Sequence, residues 1–281
     1  MVKMATASEK HLRSEPQSRR AMPGTLLLAL ASVPFILFLA LPLLALLSRA
    51  TPAEVLSHVV GGPAAQAISL SASTTLITAV LTLIAGTPLA FLVARRRFRG
   101  RVVLDVLIDV PMVLPPAVAG IALLLAFGRA GMAGPALSHA GIDIAFTRVA
   151  VVMAQLFVAS PFYVRTAISA FAQVDRDVEA AAAVDGASPL QVFRHITIPL
   201  TAPVLFGGLV MTWARALGEF GATIIFAGNF PGITQTMPLA IYMGFQLNLS
   251  IAVALSVVLL VLSFAVLLVV KGVLRQRLQV E

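Results

Sequence analysis

The sequence predicts an all-α integral membrane protein with six transmembrane helices and both termini in the cytoplasm. Three observations carry that expectation. Hydrophobic residues make up 59% of the chain and charged residues only 11%, with a mean hydropathy of +0.98; soluble domains average about 25% charged residues. Six apolar stretches, residues 24–47, 66–94, 104–127, 148–171, 200–226 and 249–270, each reach the roughly 20 residues that a helix needs to cross hydrocarbon. Basic residues then divide unequally between the two sides: with the N-terminus inside, fifteen Lys and Arg fall in inner regions, against Arg49, Arg129 and Arg148 in the outer loops. An excess of Lys and Arg marks the cytoplasmic side.

In chain order, residues 1–23 are polar and basic and are expected as a cytoplasmic tail, disordered or lying on the membrane. A secretory leader is the rival reading, but the apolar run that follows is longer than the 7–15 residues of a signal-peptide core. The first span is therefore read as retained. The second span is rich in hydroxyls (Ser69, Ser71, Ser73, Thr74, Thr75 and Thr78), which read as hydrogen-bonding glue between helices. The run RRRFRGR at 95–101 is first an orientation signal, with a nucleic-acid or anionic-lipid role as the lesser alternative. No nucleic-acid partner is expected.

The third span contains PMVLPPAVAG, with Pro111, Pro115, Pro116 and Gly120. Prolines free backbone carbonyls, which is tolerated where the chain is buried in protein or lines a cavity. A gate or kink and plain irregularity both remain open. Asp105 and Asp109, at the start of this span, read as acids complementing a helix dipole rather than as a proton relay. Arg165, near the end of the fourth span, reads as a side chain snorkelling to the interface.

Between the fourth and fifth spans lies EAAAAVDGASPLQVFRHITIPL, residues 179–200. Ala180 to Ala183 favour helix, and Gly186 suits a positive φ where that helix ends. Ser188 and Pro189 read as an N-cap followed by proline at the first helical position. Val192, Phe193 and Ile196 give a second, amphipathic piece, and Pro199 and Pro203 mark re-entry into apolar sequence. A connector that only turned round could be much shorter. An interfacial helix lying on lipid is the other reading of this stretch.

In the fifth span, Arg215, Glu219 and Thr223 follow at i,i+4 spacing on one expected helix face, beside a small-residue row of Ala214, Gly218 and Ala222. Charge at membrane depth is costly and is usually paired or turned to a wet cavity. Two readings stand: a face bordering the route of a small anion, or an ion pair that only fixes packing. Residues 271–281 are expected as a second cytoplasmic tail.

Several functions lose support. The chain has no cysteine, so thiol nucleophiles and thiolate metal sites are excluded. It has no G-x-x-x-x-G-K-[ST] phosphate loop and no H-E-x-x-H, and its four histidines are scattered. No cofactor, metal or catalytic set is expected, which disfavours a membrane enzyme. A secondary transporter would usually show paired repeats with discontinuous helices, and no internal repeat is visible.

The 179–200 stretch resembles the cytoplasmic signature loop of the membrane subunits of binding-protein-dependent ABC importers: E-A-A, three residues, Gly, nine residues, Ile-x-Leu-Pro. Gly186 is followed by nine residues and then Ile196, Thr197, Ile198 and Pro199. Ile198 stands at the leucine position, and Glu179 lies one residue before the position of the pattern's glutamate, which Ala180 occupies. LIDVPMVLPPAVAGIAL and WARALGEFGATIIFAGNFPGITQTMPLAIY resemble the molybdate and sulfate branch, the second being closer to molybdate permeases. The resemblance implies a type I importer permease fold for residues 24–270, working as a homodimer. It implies two cytoplasmic ATPase subunits docked on a coupling loop at 172–199, and an external oxyanion-binding protein. By the same analogy Glu179, Ala180, Ala181, Asp185, Gly186, Ile196, Ile198 and Pro199 couple to the ATPase. Pro111, Pro115, Pro116, Arg215, Glu219 and Thr223 line or gate the pathway. Molybdate is the expected substrate, with sulfate, thiosulfate or tungstate as the alternative.

Overall fold

A computed structural model of the protein describes residues 23–60 and 62–278, and every regular element among them is helical. Apart from Pro23, the expected N-terminal tail lies outside the described residues. The helices in order are α1 (Pro23–Ser48), α2 (Pro52–Val59), α3 (Gly62–Arg95), α4 (Arg101–Val113), α5 (Pro116–Phe127), α6 (Gly134–His139), α7 (Arg148–Gln173), α8 (Arg176–Val184), α9 (Pro189–Val192), α10 (Ile198–Leu217), α11 (Gly221–Phe226), α12 (Met237–Leu247) and α13 (Leu249–Leu278). A π-helical turn, Phe193–Thr197, joins α9 to α10.

Among the described residues, five helical stretches are long and apolar enough to cross a membrane: Leu27–Ser48, Gly62–Arg95, Arg148–Gln173, Pro189–Leu217 and Leu249–Leu268. The third expected span is not one helix. α4 and α5 pass the same test only as a pair, bent by 119° at Leu114–Pro115; counted as one span, the pair makes six. The cause is local. A residue before proline is pushed out of the α region, and here Leu114 precedes Pro115, which precedes Pro116. Both sit in extended backbone, at ψ 135° and 133°.

The fifth expected span differs as well. Its helix begins at Pro189 rather than at residue 200 and passes through Pro199 and Pro203 without stopping. Proline supplies no N–H and crowds the carbonyl four residues back. The helix answers just before Pro199 by widening to an i→i+5 bond, from the Ile198 N–H to the Phe193 carbonyl. At the other end α10 stops at Leu217, and α11 begins only at Gly221. Arg215, Glu219 and Thr223 therefore do not share one continuous helix face. α13 continues past Val270 to Leu278, into the segment expected as a tail.

Of the described residues, those up to Leu47 fall in one compact unit and those from Ser48 in another. In the second, α3, α7 and α10 share a core of Ala90, Val93, Tyr163, Val164, Ala167, Phe171 and Leu205. Small residues let these helices approach closely: a Cβ on Gly86 would lie 3.1 Å from the Tyr163 ring, and one on Gly208 would lie 2.8 Å from Thr166 Cβ. Of the hydroxyls expected to bridge helices, Ser71, Thr74 and Thr78 do so, whereas Ser73 and Thr75 donate to carbonyls of α3 itself. Thr78 Oγ1 donates to Gln155 Oε1 at 3.1 Å, Gln155 Nε2 donates to Thr74 Oγ1 at 3.2 Å, and Ser71 Oγ accepts from the Met237 N–H at 2.7 Å.

Candidate functional site

Two interruptions of helix concentrate the residues singled out from the sequence. The first is the bend at Gly186. Asp175 caps α8 by accepting from the Asp177 N–H at 2.9 Å. Gly186 follows the helix at φ +92°, a conformation that a Cβ would strain. Ser188 then caps α9, with Gln191 reaching back to the Ser188 N–H at 2.7 Å, a full capping box. Helix, glycine turn, capped helix: this part matches expectation.

The side chains of the bend divide into two sets. Glu179 turns inward, only 20% exposed. Arg95 Nη2, at the end of α3, donates to its Oε1 at 2.8 Å, and Thr197 Oγ1 in the π-turn donates to the same oxygen at 2.7 Å. One carboxylate thus ties α8 to α3 and to the head of α10. Ile198 packs against the α3–α7–α10 core. Ala180, Ala181, Asp185 and Pro199 are exposed. So are two apolar residues that the sequence reading missed, Val184 at 88% and Leu190 at 73%, one on each side of the glycine. Their signal was available: two large aliphatics in an otherwise polar tip.

The second interruption is the break at Gly218–Phe220. Arg215 Nη1 stands 2.8 Å from Glu219 Oε2, so the expected pair forms. The contact lacks hydrogen-bond alignment, since that oxygen has no hydrogen-bond partner. Glu219 is 1% exposed, and its other oxygen accepts from the Ala222 N–H at 2.8 Å, satisfying the start of α11. The Arg215 side chain remains 30% exposed. Thr223 is fully buried and its hydroxyl has no hydrogen-bond partner.

The breaks in the third and fifth spans meet. A Cβ on Gly221 would fall 2.7 Å from Pro116 Cβ, and one on Gly120 would fall 2.9 Å from the Ala222 carbonyl oxygen. Ala119 and Leu123 pack with Ala222 and Phe226 against α7. Pro116, Glu219 and Thr223 thereby belong to one packed junction, whereas Pro111 is buried in α4 and lines an apolar cavity with Leu107 and Phe157. Gly120, noted beside the prolines of the third span, and Gly221 complete the junction; without an expected break at residue 218, nothing in the sequence marked Gly221.

Three polar assignments need correction. Arg165 does not snorkel: it donates to Asp105 Oδ1 at 3.0 Å and to Asp109 Oδ2 at 2.6 Å, joining α7 to α4. Asp105 and Asp109 accordingly serve as partners of Arg165 rather than as dipole caps, since their i,i+4 spacing matches the guanidinium fork. In the segment between α5 and α7, Arg129 makes a forked pair with Asp143, at 2.8 Å for its closer contact. The hydrogen bond from Arg129 holds the Asp143 carboxyl below its ordinary range.

The family described as "Binding-protein-dependent transport system inner membrane component" matches residues 86–279, which hold both interruptions. The chain belongs to that family. It is a multi-pass permease subunit of an ABC importer. The permease is 42% identical over 241 residues to the molybdenum transport system permease protein ModB of Mycobacterium tuberculosis, covering 85% of this chain and 90% of that one. It is 38% identical over 248 residues to the probable transport system permease protein NifC of Clostridium pasteurianum, covering 88% and 86%. With the sulfate transport system permease protein CysT of Salmonella typhimurium it shares 34% over 233 residues, covering 82% and 84%.

Among solved structures, the permease fold is similar to that of a bacterial alginate ABC transporter in complex with a pentasaccharide-bound periplasmic protein. The TM-score is 0.71, with 16% identity and coverage of 90% of this chain and 93% of that one. The methionine ABC transporter MetNI in an inward-facing form matches at a TM-score of 0.59 and 15% identity, covering 75% and 94%.

Proposed function

We propose that this permease moves molybdate into the cytoplasm, driven by a separate ATPase subunit that docks on the bend between α8 and α9. In this reading both termini and the segment 172–199 face the cytosol, residues 1–23 and 271–281 are cytoplasmic tails, and 24–270 is the transmembrane domain. Two copies enclose one pathway, and an external binding protein delivers the anion. The observation that carries the docking is the exposed tip, Val184 and Leu190 on either side of Gly186. Exposed aliphatics on a rigid, capped turn favour an apolar groove on a partner.

Transmission follows from Glu179. Its carboxylate joins α8 to the end of α3 and to the π-turn heading α10, so displacing the tip pulls two long helices together. α10 leads to Arg215 and the Gly218–Phe220 break, packed on the Pro116 break. A partner can drive this shift only by binding the two states with different affinity. Arg215, the partly exposed cation of the break, gives positive potential to the anion route, and Glu219 offsets part of it.

The choice of molybdate rests on the higher identity to a permease named for molybdenum than to one named for sulfate. Sulfate is the second reading, supported by that 34% relative. The test is uptake into vesicles carrying the permease, its ATPase and its binding protein. ATP-dependent molybdate uptake that excess sulfate leaves unchanged supports the proposal. Sulfate uptake without molybdate uptake selects the second reading, and uptake without the ATPase overturns both.

A further inference from the structure

A cavity of about 520 Å³ opens behind the coupling bend, between the end of α3, α8 and the π-turn. Its polar lining is unbalanced: Arg95, Arg96 and Arg176 against the single carboxylate of Glu179. Arg95 is committed to Glu179, though its Nε is buried with no hydrogen-bond partner. Arg96 and Arg176 are exposed, and neither has an ion pair among the described residues. Asp175 and Asp177 flank Arg176 in sequence but do not line the cavity.

The apolar lining is equally specific. Phe91 and Phe193 meet edge to face, with centroids 4.8 Å apart, and both pack against the α3–α7–α10 core. The cavity therefore has a cationic mouth and an aromatic floor, at the point where a 34-residue apolar helix ends in a run of arginines. Two guanidinium groups beside an apolar floor match an anionic amphiphile better than a free ion, which has no use for the floor.

We propose that this cavity binds the phosphate headgroup of an anionic phospholipid, with Arg96 and Arg176 on the phosphate and the upper acyl chains against Phe91 and Phe193. The site lies beside the Glu179 tie, so bound lipid braces the bend from behind. This assignment is independent of which anion the permease transports.

Native mass spectrometry of the full chain, extracted in mild detergent with phosphatidylglycerol or phosphatidylcholine, tests it. The expected result is one phosphatidylglycerol retained per chain and no comparable phosphatidylcholine. At about 1 kcal/mol per surface arginine, R96Q/R176Q weakens retention about tenfold or more. The control R97Q/R99Q removes the same charge from exposed positions outside the cavity and leaves retention unchanged. Should R96Q/R176Q fold poorly, Ala183→Glu places a negative charge on the exposed wall of the cavity and is expected to expel the lipid equally. Equal retention in every variant overturns the proposal. So does release of phosphatidylglycerol by millimolar inorganic phosphate, which marks a simple anion site. Loss of ATPase co-purification with lipid retention intact also overturns it, marking a protein-docking surface.

Discussion

The bend at Gly186 and the break at Gly218–Phe220 both interrupt helix, yet they are built on opposite terms. At the bend the backbone is solvated, a Cβ on the glycine would meet nothing within 4 Å, and the caps come from residues within three positions. At the break Glu219, Ala222 and Thr223 are buried, while Gly218 is exposed and Arg215 partly so. The freed N–H of Ala222 takes its acceptor from Glu219, whose charge is met by Arg215, and the neighbouring glycines touch another span. Water can complete an exposed turn, whereas a turn inside apolar surroundings must supply every partner itself. The difference also divides the labour: an exposed bend is free to be gripped, and a buried break is free only to repack.

That contrast can be tested by substitution. The largest effect is expected at the buried junction. Gly221→Leu forces side-chain atoms into Pro116, and overpacking of this kind costs about 1–3 kcal/mol, at the upper end where the neighbour is rigid. Thermal unfolding in detergent should show a large drop in Tm, or no folded protein. Glu219→Ala comes next. Breaking a fully buried pair costs about 3–5 kcal/mol, and the partial exposure of Arg215 reduces the expectation to about 2 kcal/mol. Glu219→Gln keeps the acceptor for Ala222 and loses only the charge contact, so its Tm should fall between Glu219→Ala and wild type. Equal losses from both variants would mean that the cap contributes nothing.

At the bend the same class of change should leave stability almost intact and abolish function. Gly186→Val meets no neighbour, so its cost is the positive φ alone, about 1–2 kcal/mol. The expected outcome is a small Tm change with ATP hydrolysis no longer linked to uptake. Gly186→Asn, which tolerates the left-handed region, should retain most of the linkage. The smallest effect belongs to Arg129 and Asp143. Their pair is exposed, and the depressed carboxyl favours the folded state at neutral pH, a contribution lost as the pH falls through the lowered pKa. Asp143→Asn should therefore lower Tm only slightly at neutral pH, leave it unchanged in acid, and so remove the slight acid-side decline.

The same contrast explains what could be read in advance. The bend was legible because its determinants are local: an alanine run, Gly186, then Ser188–Pro189. The proline pair of the third span marked an irregularity, but its depth, a 119° turn, depends on α5 packing against α11 and α7. The break at Gly218 was invisible because Arg215, Glu219 and Thr223 at i,i+4 fit an unbroken helix equally well. Packing of Gly221 on Pro116, across more than a hundred residues, decides otherwise. Arg165 failed for the same reason, since its partners on α4 lie 56 and 60 residues away. Glu179 was singled out as a coupling residue from the loop pattern, but its two partners, Arg95 and Thr197, could not be read from that pattern.

The account rests on the tip of the bend being held from the cytosol. The chain has no cysteine, so Leu190→Cys provides a single exposed thiol at that tip. In inside-out vesicles a membrane-impermeant maleimide should label Cys at position 190 rapidly, and the bound ATPase should protect it. Labelling from the outside of intact cells, or equal labelling with and without the ATPase, would contradict the account.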